Sequence, residues 1–266
     1  MIRVEYINTK KQFIQLYETL KNENAFYFRG QENECWPLRN ALHRLKLDRK
    51  KKDLPLPNEM KMIGEFMDRL KSKCTGRNLW DVIGAMQHYG IPTRMMDFTE
   101  SFLIASFFAC TEASFSSCSG RFNSIVFAVN RKIPKSGSPD VSLSDLAEFS
   151  KEKEVDISYA LFVHRMVKPV PRVRIQGGVF LFMHNPYIEL AAKLSIENNW
   201  FVMRKEKGIY DIEEQWARST GLLLIQFSLP APEFLRIKEF LKSENIDDEH
   251  LFPDAQGKIR GISNRI

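Results

Sequence analysis

Residues 87–101 read Gln-His-Tyr-Gly-Ile-Pro-Thr-Arg-Met-Met-Asp-Phe-Thr-Glu-Ser, and the fold turns on how this stretch is read. Gly90 and Pro92 enforce a non-helical turn, and apolar helical patterns flank it on both sides. The segment packs His88, Tyr89, Arg94, Asp97, Thr99, Glu100 and Ser101 into a few positions. Polar and ionisable groups on a turn between two core-forming helices make a binding site. The same residues also fit a capped helix–turn–helix that holds a structural Arg–Asp pair.

Upstream, Asn8 and Thr9 can cap an amphipathic helix whose apolar face is Phe13, Leu16, Tyr17 and Leu20. Ala25–Phe28 reads as a short aromatic strand ending at Arg29-Gly30-Gln31. A loop is expected from there through Trp36 to the basic, proline-bearing stretch 49–57. Asn58 should cap a helix with Met60, Ile63, Phe66, Met67 and Leu70 on one face. The next helix, 77–88, delivers Gln87, His88 and Tyr89 at its end, where Gly90 stops it as a left-handed cap. Asp97 and Glu100 have the spacing of a capping box for a helix over 98–114, apolar on nearly all faces.

Downstream the pattern changes. Strands are expected at 124–129, 157–163, 179–182 and 222–227, a loop at 114–120, and helices at 142–152, 187–197 and 232–243. The chain shows no internal repeat and no linker that would cut it, so 1–266 reads as one α+β domain, helices mainly first and sheet mainly later.

With 44% apolar residues and 20 Phe, the chain can build a substantial core. No apolar run approaches the ~20 residues of a membrane span, and the start Met-Ile-Arg-Val-Glu lacks a signal-peptide plan. Cys35, Cys74, Cys110 and Cys118 have no CxxC spacing, and the five His lack ligand spacing, so neither disulfides nor a metal site are expected. A cytoplasmic protein with no membrane contact follows as the expectation.

The net charge of +6 is uneven. Residues 39–77 carry 12 Lys/Arg against 5 Asp/Glu, centred on Arg49-Lys50-Lys51-Lys52. Residues 163–174 add Arg165, Lys168, Arg172 and Arg174 with no acid. Two such patches suit a polyanion, either nucleic acid or the phosphates of a nucleotide; a solvated loop is the plainer alternative. No GxxxxGK[ST], GxGxxG or Gly-x-Ser-x-Gly motif is present, which disfavours ATP hydrolysis, hydride transfer and serine hydrolysis.

Four elements then fall into one order. They are Phe28-Arg29-Gly30 with Gln31; Gln87–Gly90, Pro92-Thr93-Arg94 and Asp97–Ser101; Arg174–Phe180; and Leu251-Phe252-Pro253-Asp254. Over roughly residues 20–260 this order resembles the FRG domain family. It is also similar, more distantly, to the ADP-ribosyltransferase plan. That resemblance implies a helix-rich N-terminal half packed on a mainly antiparallel split sheet, with NAD as co-substrate and no metal. Arg29 would match the first position of the plan, Thr99 and Ser101 the second, and the turn at Gln176 the third. The plan has Glu at that third position, so a carboxylate elsewhere would have to act, or none does.

On this resemblance Arg29, His88, Asp97, Glu100 and Gln176 are the catalytic candidates. Arg29, Gly30, Gln31, Tyr89, Arg94, Thr99 and Ser101 are those for cofactor binding. Arg29 suits phosphate, beside a glycine that permits close backbone approach, or it is a buried arginine paired with Asp97. Arg94 is a second anion clamp, or a cap partner of Asp97. His88 and Tyr89 could hold a base or the nicotinamide ring, or simply cap a helix. Asp97 is an N-cap or the needed carboxylate, with Glu100 as the other candidate. Gln176 would bind the cofactor amide or position the acceptor. The function implied is an NAD-dependent ADP-ribosyltransferase-like toxin that modifies nucleic acid, RNA foremost. A toxin–antitoxin or phage-defence setting with an antitoxin protein is the matching context. The other reading is a non-catalytic nucleotide- or nucleic-acid-binding module.

Overall fold

The computed structural model describes residues 2–21, 24–55, 57–71, 75–110, 123–131, 161–167, 169–183, 204–206, 209–211 and 224–252. The expected 114–120 loop and the helices at 142–152 and 187–197 lie outside these residues, as do Lys168, Pro253 and Asp254.

Among the described residues, seven strands form one mixed sheet in the order β1 (Ile2–Tyr6), β9 (Leu224–Leu229), β4 (Ser124–Asn130), β2 (Phe26–Gln31), β3 (Met95–Thr99), β6 (Gly178–Met183) and β5 (Leu161–His164). Within it β1 and β9 run parallel; every other neighbouring pair is antiparallel. A separate two-stranded ribbon joins β7 (Arg204–Glu206) and β8 (Ile209–Asp211). Eight helices among the described residues accompany the strands: α1 (Lys10–Leu20), α2 (Ala41–Lys51), α3 (Glu59–Arg69), α4 (Leu79–His88), α5 (Phe102–Ala109), α6 (Pro171–Ile175), α7 (Phe234–Ser243) and α8 (Asp248–Leu251).

The sheet consists of two blocks that barely touch. β2 pairs with β4 through six residue pairs, and β3 with β6 through five. β2 and β3 meet at one, Phe28 opposite Thr99. Beyond that pair the strands part.

Alternation along β2 sends Phe28 and Gly30 to one face, and Tyr27, Arg29 and Gln31 to the other. On the first face, Phe28, Val126 and Ala128 pack under α1, α5 and α7. On the neighbouring block Met95, Phe180 and Phe182 pack against α3 and α4. The opposite face carries a third cluster with Tyr27, Met96, Phe98, Phe127 and Leu181. Gly30 is required for the first layer: a Cβ there would lie 1.9 Å from the Ala105 carbonyl oxygen and 2.7 Å from the Ala109 nitrogen. The close approach that this glycine permits is that of the α5 backbone.

Several capping expectations hold. Thr9 caps α1, Asn58 caps α3, and Gly90 ends the α4 region at φ +78°. Two expectations are corrected. Residues 41–51 form helix α2 rather than loop: Asn40 accepts from the His43 amide at 2.8 Å, Leu42 and His43 are buried, and Pro55 and Pro57 fall beyond the helix end. Asp97 does not cap a helix over 98–114. It lies within β3, whose residues alternate between faces and pair with β6; Ser101 caps the shorter α5, accepting from the Ile104 amide at 3.3 Å. Strands β2 and β3 come from the first half of the chain, so helices and strands are interleaved.

Candidate functional site

The parting of β2 from β3 opens a cleft of about 720 Å³, within the range of about 300–1,000 Å³ usual for small-molecule sites. Arg29, Arg39, Arg44 and Arg172 line it, against the carboxylates of Glu32 and Asp97. Gln31, Thr99 and Gln176 add polar groups, while Phe28, Phe98, Phe108 and Trp36 give apolar surface. A smaller pocket of about 200 Å³ adjoins it and shares Arg29, Arg44 and Asp97. Gln87, Gly90, Ile91 and Pro92 line that second space.

Arg29 is the centre of the arrangement. Its Nη1 donates to the Asp97 carbonyl at 2.7 Å across the opening, and its Nε is buried with no hydrogen-bond partner among the described residues. Burial lowers the basicity of the guanidinium, the Asp97 carboxylate raises it, and Arg44 lowers it again. Arg44 is likewise lowered by burial and raised by Asp97. Two guanidiniums thus share the field of one carboxylate, and four arginines line the cleft against two acidic residues. A cleft with this surplus of fixed positive charge suits an anion.

Of the two carboxylates expected to act, Asp97 faces the cleft, and its side chain is exposed. Glu100 does not line it. Glu100 pairs with Arg165 and, at 2.9 Å, with Arg131, and the Arg165 hydrogen bond holds its carboxyl below the usual range. Both arginines also lie over the Tyr27 ring, at 5.8 Å and 4.7 Å from its centroid. Glu100 therefore belongs to an ion-pair cluster outside the cleft, and Tyr27 belongs to the core, 2% exposed.

Thr99 donates from Oγ1 to the Gln176 carbonyl at 2.7 Å, which ties β3 to the α6–β6 turn. The Gln176 amide donates to the Leu251 carbonyl at 3.1 Å, and Arg172 lies 4.2 Å from the centroid of Phe252. The later motif and the described part of the closing motif are thereby drawn to one side of the cleft. Gln31 donates from Nε2 to the Trp36 carbonyl at 2.9 Å.

The remaining candidates go elsewhere. Arg94 is 1% exposed, its Nε donates to Glu59 at 2.6 Å, and its backbone amide donates to the same carboxylate at 3.0 Å. It is neither a cleft anion clamp nor a partner of Asp97; a buried carboxylate occupies it. His88 and Tyr89 line neither space. Their rings stack edge to face at 5.4 Å, and Tyr89 also meets Phe66 at 6.0 Å. Ser101 serves as the α5 cap.

Sequence reasoning did not single out Arg39, Arg44, Trp36, Phe108 or Glu32 as site residues. Arg39 and Arg44 were visible only as members of the 39–77 charge excess. Among the described residues no group of three His, Cys, Asp or Glu is placed to hold a metal ion. No helix among them is long and apolar enough to cross a membrane.

Residues 24–117 match the model of the FRG domain family. This segment spans β2 through α5, so it includes the Arg29-bearing strand, α2 and the Asp97-bearing strand. No curated protein and no solved structure matches the chain.

Proposed function

We propose that this chain, with its FRG domain at residues 24–117, is an ADP-ribosyltransferase-like enzyme that uses NAD in the cleft between β2 and β3. One observation carries the reading: Arg29 and Arg44 converge on the cleft beside the outward-facing carboxylate of Asp97.

NAD would supply the ADP-ribosyl group, whose bond to nicotinamide breaks as positive charge develops on the ribose. Arg29 and Arg44 hold the pyrophosphate, Arg29 fixed in place by its bond to the Asp97 carbonyl. The Asp97 carboxylate balances the developing charge or takes a proton from the acceptor. Phe28, Phe98 and Phe108 keep water from one wall. Gln176 positions the cleft edge through Thr99 and Leu251. Transfer to a macromolecule of the host would be toxic, which gives a place to an antitoxin partner in a toxin–antitoxin or phage-defence system. Such an enzyme would act in the cytoplasm, where NAD is plentiful.

A second reading, a nucleotide-binding module without catalysis, draws on Gln176. The position that the plan gives to Glu holds an amide already engaged with Leu251. Incubation of the folded chain with labelled NAD and cell lysate separates the two readings. Transfer of label or release of nicotinamide supports the enzyme; NAD binding with neither supports the module.

A further inference from the structure

We infer that the acceptor is a single-stranded nucleic acid, led to the cleft along α2 with one base stacked on Trp36. The inference rests on the transferase reading above, and it concerns what that site modifies.

Helix α2 starts at the cleft. Arg39, just before the Asn40 cap, and Arg44 in the first turns both line it, and Arg44 Nη1 donates to the Arg39 carbonyl at 2.6 Å. From Arg39 to Lys52 the chain has seven Lys/Arg and one acid, Asp48, which pairs with Lys52 at 2.9 Å. The helical repeat places Arg44 and Lys51 on one face, seven residues apart, or about 10 Å along the axis. Arg44, Lys50, Lys51 and Lys52 are all exposed. Arg44 at the cleft and Lys51 toward the far end share this face with Asp48, whose charge Lys52 balances. With Lys50 at the helix end they leave a net basic path from the cleft to the surface that suits a phosphate backbone.

Trp36 supplies the second, independent sign. Its loop is anchored: Trp36 N donates to the Asn33 carbonyl at 3.1 Å, Glu34 N to the Asn123 carbonyl at 2.9 Å, and Ser228 Oγ to Glu34 at 2.9 Å. With the Gln31 bond to its carbonyl, the backbone of Trp36 is held from two sides. The indole is nonetheless 51% exposed in the cleft lining. A large aromatic face presented to solvent by an anchored loop is a stacking platform. A base must be unpaired to lie on it, which selects single strands over duplex. An acidic peptide would answer the charge of α2 but would leave the indole without a partner.

The test is fluorescence anisotropy of end-labelled oligo(U), oligo(dT), the corresponding RNA duplex and poly-glutamate titrated with the full chain, beside calorimetric NAD binding. The single strands should bind at least tenfold tighter than the duplex and poly-glutamate; tighter RNA or tighter DNA names the acceptor sugar. Trp36→Ala should weaken single-strand binding fivefold or more. Lys50→Glu with Lys51→Glu should weaken it and flatten the salt dependence, the log–log slope falling by about 0.7 for each phosphate no longer neutralised, with NAD binding unchanged. Circular dichroism melts of both variants should match the parent, since both sites are exposed. NAD binding without single-strand preference, or full affinity in both variants, overturns the inference and leaves the transferase reading standing. Tighter poly-glutamate binding overturns it in favour of an acidic protein. Single-strand binding without any NAD binding overturns the transferase reading, and with it the acceptor role.

Discussion

Arg29 Nη1 reaches the backbone carbonyl of Asp97 at 2.7 Å, bridging β2 and β3 just past their one register pair, Phe28 and Thr99. The ladder between these strands ends there, and the guanidinium takes up a carbonyl that the ladder leaves open. Arg29 therefore ties the two blocks of the sheet.

Because the tie uses the Asp97 backbone, its side chain can be changed without cutting it. Asp97→Asn should alter stability by no more than about 0.5 kcal/mol, as exposed positions do. If the carboxylate serves the chemistry, nicotinamide release from NAD should fall about 100-fold or more. Urea unfolding and a release assay on the same preparation check both halves.

Arg94 and Glu59 form a buried pair, at 1% and 5% exposure. Removing one partner takes away the pairing that balances the other's charge away from water. Glu59→Ala should destabilise the fold by about 3–5 kcal/mol, read as a shift in the urea midpoint. Arg94→Lys should also lose stability, since an ammonium cannot reproduce the Nε contact at this geometry.

Gly30→Ala places a methyl group 1.9 Å from the Ala105 carbonyl oxygen, and that oxygen is backbone. The helix α5 must move off β2 or the chain must fail to fold. Destabilisation at or beyond the ~3 kcal/mol upper end of ordinary overpacking is expected, measured by thermal melting and soluble yield.

Much of this framework was legible in the sequence. Apolar spacing located α1, α3, α4 and α7, and Asn58 and Gly90 punctuate the chain as their chemistry requires. Helix α2 was hidden because its surface is nearly all charge, so its short buried patch of Leu42 and His43 makes no clear stripe. Strand β3 was hidden because Asp97 and Glu100 mimic a capping box, and only pairing with β6 selects the extended form. Arg29 drew notice as a strand-end arginine beside a glycine, whereas it lies within β2 and Gly30 serves the packing of α5. Arg94 looked equivalent, since nothing local to it announces Glu59, 35 residues earlier. The cleft itself depends on where two strands part, which no local pattern encodes.

Glu100 gives the fold a predictable response to acid. Its carboxyl is held below the usual range by Arg165, so the folded state binds its proton less readily than the unfolded chain does. Its contribution is fully present above the ordinary carboxylate pKa of about 4.3 and is lost as pH falls below that through the folded value. Thermal melts from pH 7 to pH 3 should show a steeper loss for the parent than for Glu100→Gln.

A calorimetric titration of NAD into the parent chain and Arg29→Ala decides whether the β2–β3 cleft is a dinucleotide site built on Arg29. The parent should bind one equivalent. The variant, folded by circular dichroism, should bind at least tenfold more weakly, as expected when charge-assisted hydrogen bonds of about 1.5–3 kcal/mol are removed. A folded parent that binds no NAD, or a variant that binds it equally well, would rule out a dinucleotide site on Arg29.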